Sequence, residues 1–234
     1  MQKLRVRYAK RGRLRFTSHR DFSRAFERAV FRARLPMAYS SGFNPHPRIS
    51  YAGASPTGAA SEAEFLEIGL ARELEPGQVH RALDEALPDG LDVVEVVASA
   101  GGALADRLEA SVWRIELPGA DPDEVAAGVA RLLAEDTVTV ERMTKKGVRS
   151  FDVRSALVRV EALACPTHEG ECAILEVVLR HATPSVRPDD VLAGLRTTGS
   201  RIPSAALQQR MAQGPLGADG TVGDPLSPDR DAAG

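Results

Sequence analysis

A column of arginines, two histidines and one loop bounded by glycine and proline hold most of the chemistry this sequence offers. Arg20, Arg24, Arg28 and Arg32 recur at every fourth position, which lines four like charges along one side of a helix. Neighbours at that spacing repel by roughly 0.2–0.5 kcal/mol a pair. A bound phosphate chain would relieve the repulsion and release condensed counterions, and the planar guanidinium fork suits phosphate oxygens. A solvated basic face is the plainer alternative. The loop Ser40-Ser41-Gly42-Phe43-Asn44-Pro45-His46-Pro47-Arg48 is stiffened by two prolines that restrict their predecessors. Gly42 admits a positive φ. In a binding loop, Phe43 would stack on a base, Asn44 would read a base edge, and His46 and Arg48 would meet phosphate. A purely structural turn uses the same Gly and Pro.

His19 stands at a helix start, where the macrodipole disfavours a positive ring. Were His19 and His46 to converge, they would supply general base and general acid for metal-independent RNA cleavage. A local hydrogen-bonding role is the simpler reading of a helix-start histidine. Cys165-x-x-His168-x-x-x-Cys172 offers three zinc-ligand types without an evident fourth. It falls where a hairpin turn belongs, so no metal site and no disulfide framework is expected. Lys145, Lys146 and Arg149, followed by Phe151-Asp152-Val153-Arg154, form a second basic run between strands. Lys145, Lys146 and Arg154 join Arg13 as candidate phosphate contacts, and a cleft would arise if this run faced the first. Glu62, Glu64 and Glu67 could instead pair with arginines from inside. The sequence holds no phosphate-binding glycine loop, no dinucleotide fingerprint, no iron–sulfur cysteine triplet and no HExxH, so no cofactor is expected.

Charge is distributed unevenly. Residues 1–50 carry 13 Lys or Arg against Asp21 and Glu27, a net of +11, while the other 184 residues hold 17 bases and 30 acids, a net of -13. The overall charge of -2 therefore conceals a basic N-terminal face suited to a polyanion such as RNA. No stretch approaches the roughly 20 apolar residues of a membrane span. The N-terminus lacks a signal-peptide core, so a cytoplasmic protein without membrane contact is expected.

The elements follow from periodicity. Leu4, Val6 and Tyr8 alternate with Arg5, Arg7 and Ala9, and Leu14 and Phe16 continue the alternation, which predicts a strand or tight hairpin. Ser18 is a helix cap with Asp21 three residues on. Phe22, Ala25, Phe26, Ala29, Val30 and Ala33 form a core stripe that Pro36 stops. Strands at 49–52 and 63–70, a helix after Pro76 and a strand at 91–97 complete β-α-β-β-α-β, the ferredoxin-like pattern. A second, approximate cycle has strands at 112–117, 138–142, 156–163 and 173–179 and helices at 122–134 and 188–195, with 202–211 open between strand and helix. The expected class is α+β: two ferredoxin-like domains, the second degenerate, over residues 1–98 and 111–213. A small-residue linker (99–110) separates them, and a disordered tail (214–234) follows.

The stretch from Thr17 to Ile68 resembles the radical-SAM-linked proteins. Their pattern, a Ser-His-x-Asp helix start, Ser-x-Gly-Phe-Asn-Pro-x-Pro and a Glu-x-Glu-Phe segment, is met by Ser18, His19, Asp21, Ser41, Gly42, Phe43, Asn44, Pro45, Pro47, Glu62, Glu64 and Phe65. The resemblance covers residues 1 to about 211 and carries no established activity. It implies an accessory partnership with a radical SAM enzyme, or with a ribonuclease E/G beside which some members lie. Lacking the cluster cysteines, this chain is not itself the radical enzyme. The leading expectation is a non-catalytic RNA-binding accessory protein in RNA modification or processing. The alternatives are the His19/His46 endoribonuclease and a protein-only docking module for a radical SAM enzyme.

Overall fold

The computed structural model describes residues 1–144, 147–166 and 171–232. In chain order its elements are β1 (Gln2–Lys10), α1 (His19–Arg32), β2 (Ile49–Ala52), β3 (Ala60–Leu70), α2 (Pro76–Ala86), β4 (Leu91–Ala98) and β5 (Ala110–Pro118). They continue with α3 (Pro122–Ala134), β6 (Thr139–Thr144), β7 (Gly147–Asp152), β8 (Leu157–Ala164), β9 (Cys172–Arg180), α4 (Pro188–Thr197), β10 (Leu207–Gly214) and α5 (Ser227–Asp231). The chain divides into two units, one of residues 1–108 with 224–234 and one of residues 109–223. The class is α+β. No helix among the described residues is long and apolar enough to cross a membrane.

In the first unit β1 pairs antiparallel with β3 and with β4, and β2 pairs with β3, giving the order β4-β1-β3-β2. Alternation along β1 sends Leu4, Val6 and Tyr8 to one face, where Phe22, Phe26, Ala29 and Val30 of α1 and Val79 and Leu83 of α2 meet them. This is the core predicted by the helical stripe. Tyr8 and Phe22 stack with ring centroids 4.3 Å apart. Ser18 caps α1: its Oγ accepts from the Asp21 N–H at 3.2 Å and donates to the Asp21 carboxylate at 2.6 Å. Residues 12–16 are a 3-10 turn rather than a strand, and Phe16 is exposed. Gly12 turns the chain there at a φ of 53°, which ends the alternation.

Arg5 faces the other side of the sheet and is fully buried. Its Nη1 donates to both oxygens of Asp229 at 2.7 Å, its Nε to Glu67 at 2.9 Å, and its Nη2 to the carbonyls of Gly101 and Gly102. Arg107 adds a second guanidinium on Asp229 at 2.7 Å. Around them Phe65, Val97, Leu104, Leu108 and Leu226 form a second apolar cluster. Two expectations are corrected here. Residues 99–108 are packed rather than a loose linker, and the C-terminal segment is folded, with α5 bound on the sheet face opposite α1. The segment carries few apolar residues because ion pairing, together with buried Leu226, holds it in place.

In the second unit β5 pairs with β9 and with β10, and β8 pairs with β9, giving β10-β5-β9-β8, all antiparallel. With the β6–β7 hairpin left out of the numbering, the four strands run 4-1-3-2, as those of the first unit do. Residues 207–211 of the stretch left open form the start of β10, and the unpredicted β7 pairs with β6 as a separate hairpin. Arg142 of that hairpin lies over the Phe151 ring at 4.6 Å and pairs with Asp190 near the start of α4. Asp152 accepts the backbone N–H groups of Val138, Arg154 and Ser155. Desolvation opposes its charge, but those bonds hold the carboxyl below its ordinary pKa. The Phe151–Arg154 stretch therefore builds a turn. Cys165 and Cys172 are joined by a disulfide where no disulfide framework was expected, which leaves neither sulfur for a metal. His168 lies outside the described residues.

Burial works against the Asp229 carboxylate, but Arg5, the Ala100 N–H and Arg107 outweigh it and keep its pKa below the ordinary value. A depressed folded-state pKa stabilises fully above the unfolded value, about 4, and the contribution is lost as pH falls through the folded-state value. Asp229→Asn should cost about 3 kcal/mol at neutral pH, since it strips a buried guanidinium of its main partner. It should also flatten the acid limb of stability below about pH 4. Urea unfolding across pH measures both effects.

Candidate nucleic-acid interface

The basic residues near the N-terminus separate into two groups. Arg5 and Arg7 on β1 and Arg11 just after it are engaged by the protein itself. Arg5 is sealed as described, Arg7 Nε donates to the Glu62 carbonyl at 2.9 Å, and Arg11 pairs with Glu62 and, at 2.8 Å, with Asp92. The Glu62 hydrogen bond, with help from Asp92, raises the Arg11 pKa further above its already high ordinary value. Glu62 and Glu67 of β3 thus pair with arginines of the same unit, as the sequence allowed. Glu64, in the same motif, is buried and accepts the Ser55 N–H at 3.0 Å, which fixes the turn before β3.

The helix group behaves differently. The stripe of Phe22, Phe26, Ala29 and Val30 turns one side of α1 inward, which forces Arg20, Arg24, Arg28 and Arg32 outward, and all four are exposed. Arg20, Arg24 and Arg28 make no ion pair or hydrogen bond among the described residues, and neither does exposed Arg13. Arg32 donates to the Ala86 carbonyl at the end of α2, where a cation meets the negative pole of that helix. Arg32 is therefore partly structural. Glu27, an acid on this side of the helix, is exposed as well.

The loop after α1 is closed at its neck. Tyr39 bridges to Pro47, the Ser40 N–H donates to the His46 carbonyl at 2.9 Å, and the His46 N–H donates to Ser40 Oγ at 3.0 Å. Arg48 Nε donates to the Tyr39 carbonyl at 3.2 Å. Gly42 sits at a φ of 137°, a conformation side chains rarely adopt. Ser41, Gly42, Phe43, Asn44, Pro45 and His46 are all exposed, and Phe43 projects completely into solvent. A loop pinned at its base with a polar and aromatic tip is built for contact.

The histidines do not form a pair. The His19 ring meets Tyr51 edge-on, with centroids 5.0 Å apart, while His46 is held through its backbone in the loop. Among the described residues no hydrogen bond or ring contact joins them. Burial pushes the Tyr51 phenol above its ordinary pKa. In the second unit Arg154 is half-buried beside the Asp152 turn. Lys145 and Lys146 lie outside the described residues.

The motif residues Ser18, Asp21, Gly42 and Glu64 are thus accounted for as cap, turn and anchor within one folded unit. A protein-family model matches residues 3–188. The chain belongs to the DUF2344 family. That family is described as an uncharacterized protein conserved in bacteria. No match is found among the curated proteins. Among solved structures, this DUF2344 chain is similar to one in a Cbf5-Nop10-Gar1 complex at 11% identity and a TM-score of 0.46, over 94% of this chain and 52% of the other. It thus spans about half the length of that relative. It is also similar to an unknown protein from Galdieria sulphuraria at 16% identity and a TM-score of 0.25, over 89% of this chain and 98% of the other. Neither similarity assigns a function.

Two exposed aromatics that line the α1 face are not marked by any motif of the sequence: Phe31 and Tyr39, 83% and 55% exposed. Phe31 was legible, because it falls off the core stripe and beside Arg24 and Arg28 on the helical wheel. Tyr39 needed the loop geometry. If the arginine column has no structural duty, Arg24→Gln with Arg28→Gln should leave the fold intact and raise its stability by a few tenths of a kcal/mol. Thermal unfolding decides, and a loss above about 1 kcal/mol would make the column structural.

Proposed function

We propose that this DUF2344 protein is a non-catalytic RNA-binding accessory protein that grips phosphates along the outer face of α1 and at the Gly42–Arg48 loop. The observation that carries the reading is the contrast between the two arginine groups. Arg5 and Arg11 have carboxylate partners from the same chain, whereas Arg20, Arg24 and Arg28 have none among the described residues. A protein able to pair buried cations this thoroughly leaves a repelling column open where an external polyanion neutralises it. Arg13 and Arg48 extend the basic surface, and Asn44 and His46 offer polar contacts at the loop tip.

The strand order of each unit supports a finer reading of the fold, two ferredoxin-like units, the second carrying the β6–β7 hairpin between its first helix and the rest of its sheet. Some modules with a four-stranded sheet bind RNA on the open sheet face. In the first unit that face is occupied by the Arg5–Asp229 cluster and by residues 99–108, so the helix face is the available surface. The partnership with a radical SAM enzyme, or with a ribonuclease E/G, rests on the sequence resemblance. In it this chain would hold the RNA while the partner performs the chemistry.

Binding to a labelled RNA, followed by fluorescence anisotropy, should weaken steeply with added salt. Replacing Arg24 and Arg28 with Gln should weaken it further for all sequences alike and reduce the salt slope by about one unit for each phosphate no longer neutralised. Absence of binding at low salt, or a slope untouched by the double substitution, rules the reading out.

A further inference from the structure

Phe31 has the same side chain as Phe22 and Phe26 on the same helix, yet those two are buried and Phe31 stands in solvent. It is shared by two open grooves. One, of about 740 Å3, is lined by Arg24, Glu27, Arg28, Phe31 and Arg32. The other, of about 590 Å3, runs on to Arg34 and Tyr39. Two exposed rings therefore lie in a continuous furrow flanked by guanidinium groups. The furrow leads to the neck of the loop, where Tyr39 pairs with Pro47.

Arg34 strengthens the case. It follows the helix cap at a φ of 51°, the left-handed conformation that glycine normally supplies at a helix end. A β-carbon there is disfavoured, and non-glycine residues in such strain cluster at functional sites. For the backbone alone, glycine would be the relaxed choice. An arginine in its place adds a cation to the wall of the groove.

From this arrangement we infer that the ligand of the α1 face is single-stranded RNA, its unpaired bases stacked on Phe31 and Tyr39 and its phosphates on Arg24, Arg28 and Arg34. The inference rests on the RNA reading above and adds the strand state. A duplex presents phosphates but keeps its base faces stacked inside, so it would satisfy the arginines and leave both rings in water. An unpaired strand offers both contacts at once, and every base has a face that can stack. Glu27, which lines both grooves, repels phosphate but accepts hydrogen bonds from exocyclic amino groups of a base. Charge complementarity favours this ligand over a protein partner, since among the residues lining the furrow several guanidinium groups face the one carboxylate of Glu27.

The test uses the full chain, an unstructured RNA of about a dozen nucleotides and a duplex of the same length, with anisotropy read at two salt concentrations. The single strand should bind more tightly. Phe31→Ala with Tyr39→Ala should lower its affinity about tenfold or more, change the duplex by less than about twofold, and leave the salt slope unaltered. Equal affinity for both RNAs, or an aromatic variant that binds like the parent, overturns the stacking inference. It would leave the RNA reading standing and assign the rings to a protein contact. A parent chain that binds neither RNA overturns both.

Discussion

The first unit depends on one buried cation. Arg5 is removed from water completely, and an ion moved into the interior loses several kcal/mol of hydration unless partners surround it. Its donors all find acceptors: Asp229, Glu67 and two backbone carbonyls. Those acceptors come from three distant parts of the chain, β3, the segment after β4 and the C-terminal helix. Satisfying one guanidinium therefore obliges the chain to bring its end back to its beginning. Arg107 and Arg230 reinforce the closure, the latter through Glu95 and Asp224 at 2.8 Å. In a segment as poor in apolar residues as 224–232, this electrostatic clasp does what a hydrophobic stripe does elsewhere.

The clasp explains how the basic residues of the N-terminus divide. On β1 the strand period sends Arg5 and Arg7 to the face that the rest of the chain covers, so they are consumed by the fold. On α1 the helical period places arginines opposite the aromatic stripe, so they stay in solvent. The magnitudes differ accordingly. A buried cation without its carboxylate is worth several kcal/mol of instability, while the exposed column costs only tenths per pair. Internal acids serve the expensive site first. The cheap repulsion on α1 can be left for something outside the chain to neutralise.

How much was legible in the sequence follows the same physics. Periodicity revealed α1, its Ser18 cap, its stop before Pro36 and the alternation of β1, because local spacing dictates which faces are apolar. The β-α-β-β-α-β order of the first unit was readable for the same reason, whereas the pairing of β1 between β3 and β4 is a long-range choice that no local pattern records. The C-terminal segment was misread because composition counts apolar residues, and Asp229 acts by charge on a partner 224 positions away. The strand β7 was missed because residues 147–150 are all exposed and only Phe151 near its end is buried, too little to mark an apolar face. Residues 12–16 were misread because alternation continued past Gly12, whose positive φ breaks the strand. For the candidate site, the arginine column and the loop were visible as spacing and composition. The place of Tyr39 beside Phe31 was not, since it depends on how residues 33–39 leave the helix.

That exit from α1 ties fold to site. The helix ends at Arg32 with Ala33 as its cap, and Arg34 adopts a left-handed turn that lets Leu35 N–H bond back to the Val30 carbonyl at 3.2 Å. Met37 then joins the core and pairs with Leu70 of β3, which directs Tyr39 outward to the neck of the loop. The same short path that anchors the loop to the sheet therefore sets the second ring near the first. The buried anchor at Met37 holds position, and the exposed residues on either side of it carry the contact surface. A loop positioned this way needs no apolar tip to stay ordered, which leaves Phe43 and Asn44 free to be chosen for what they touch.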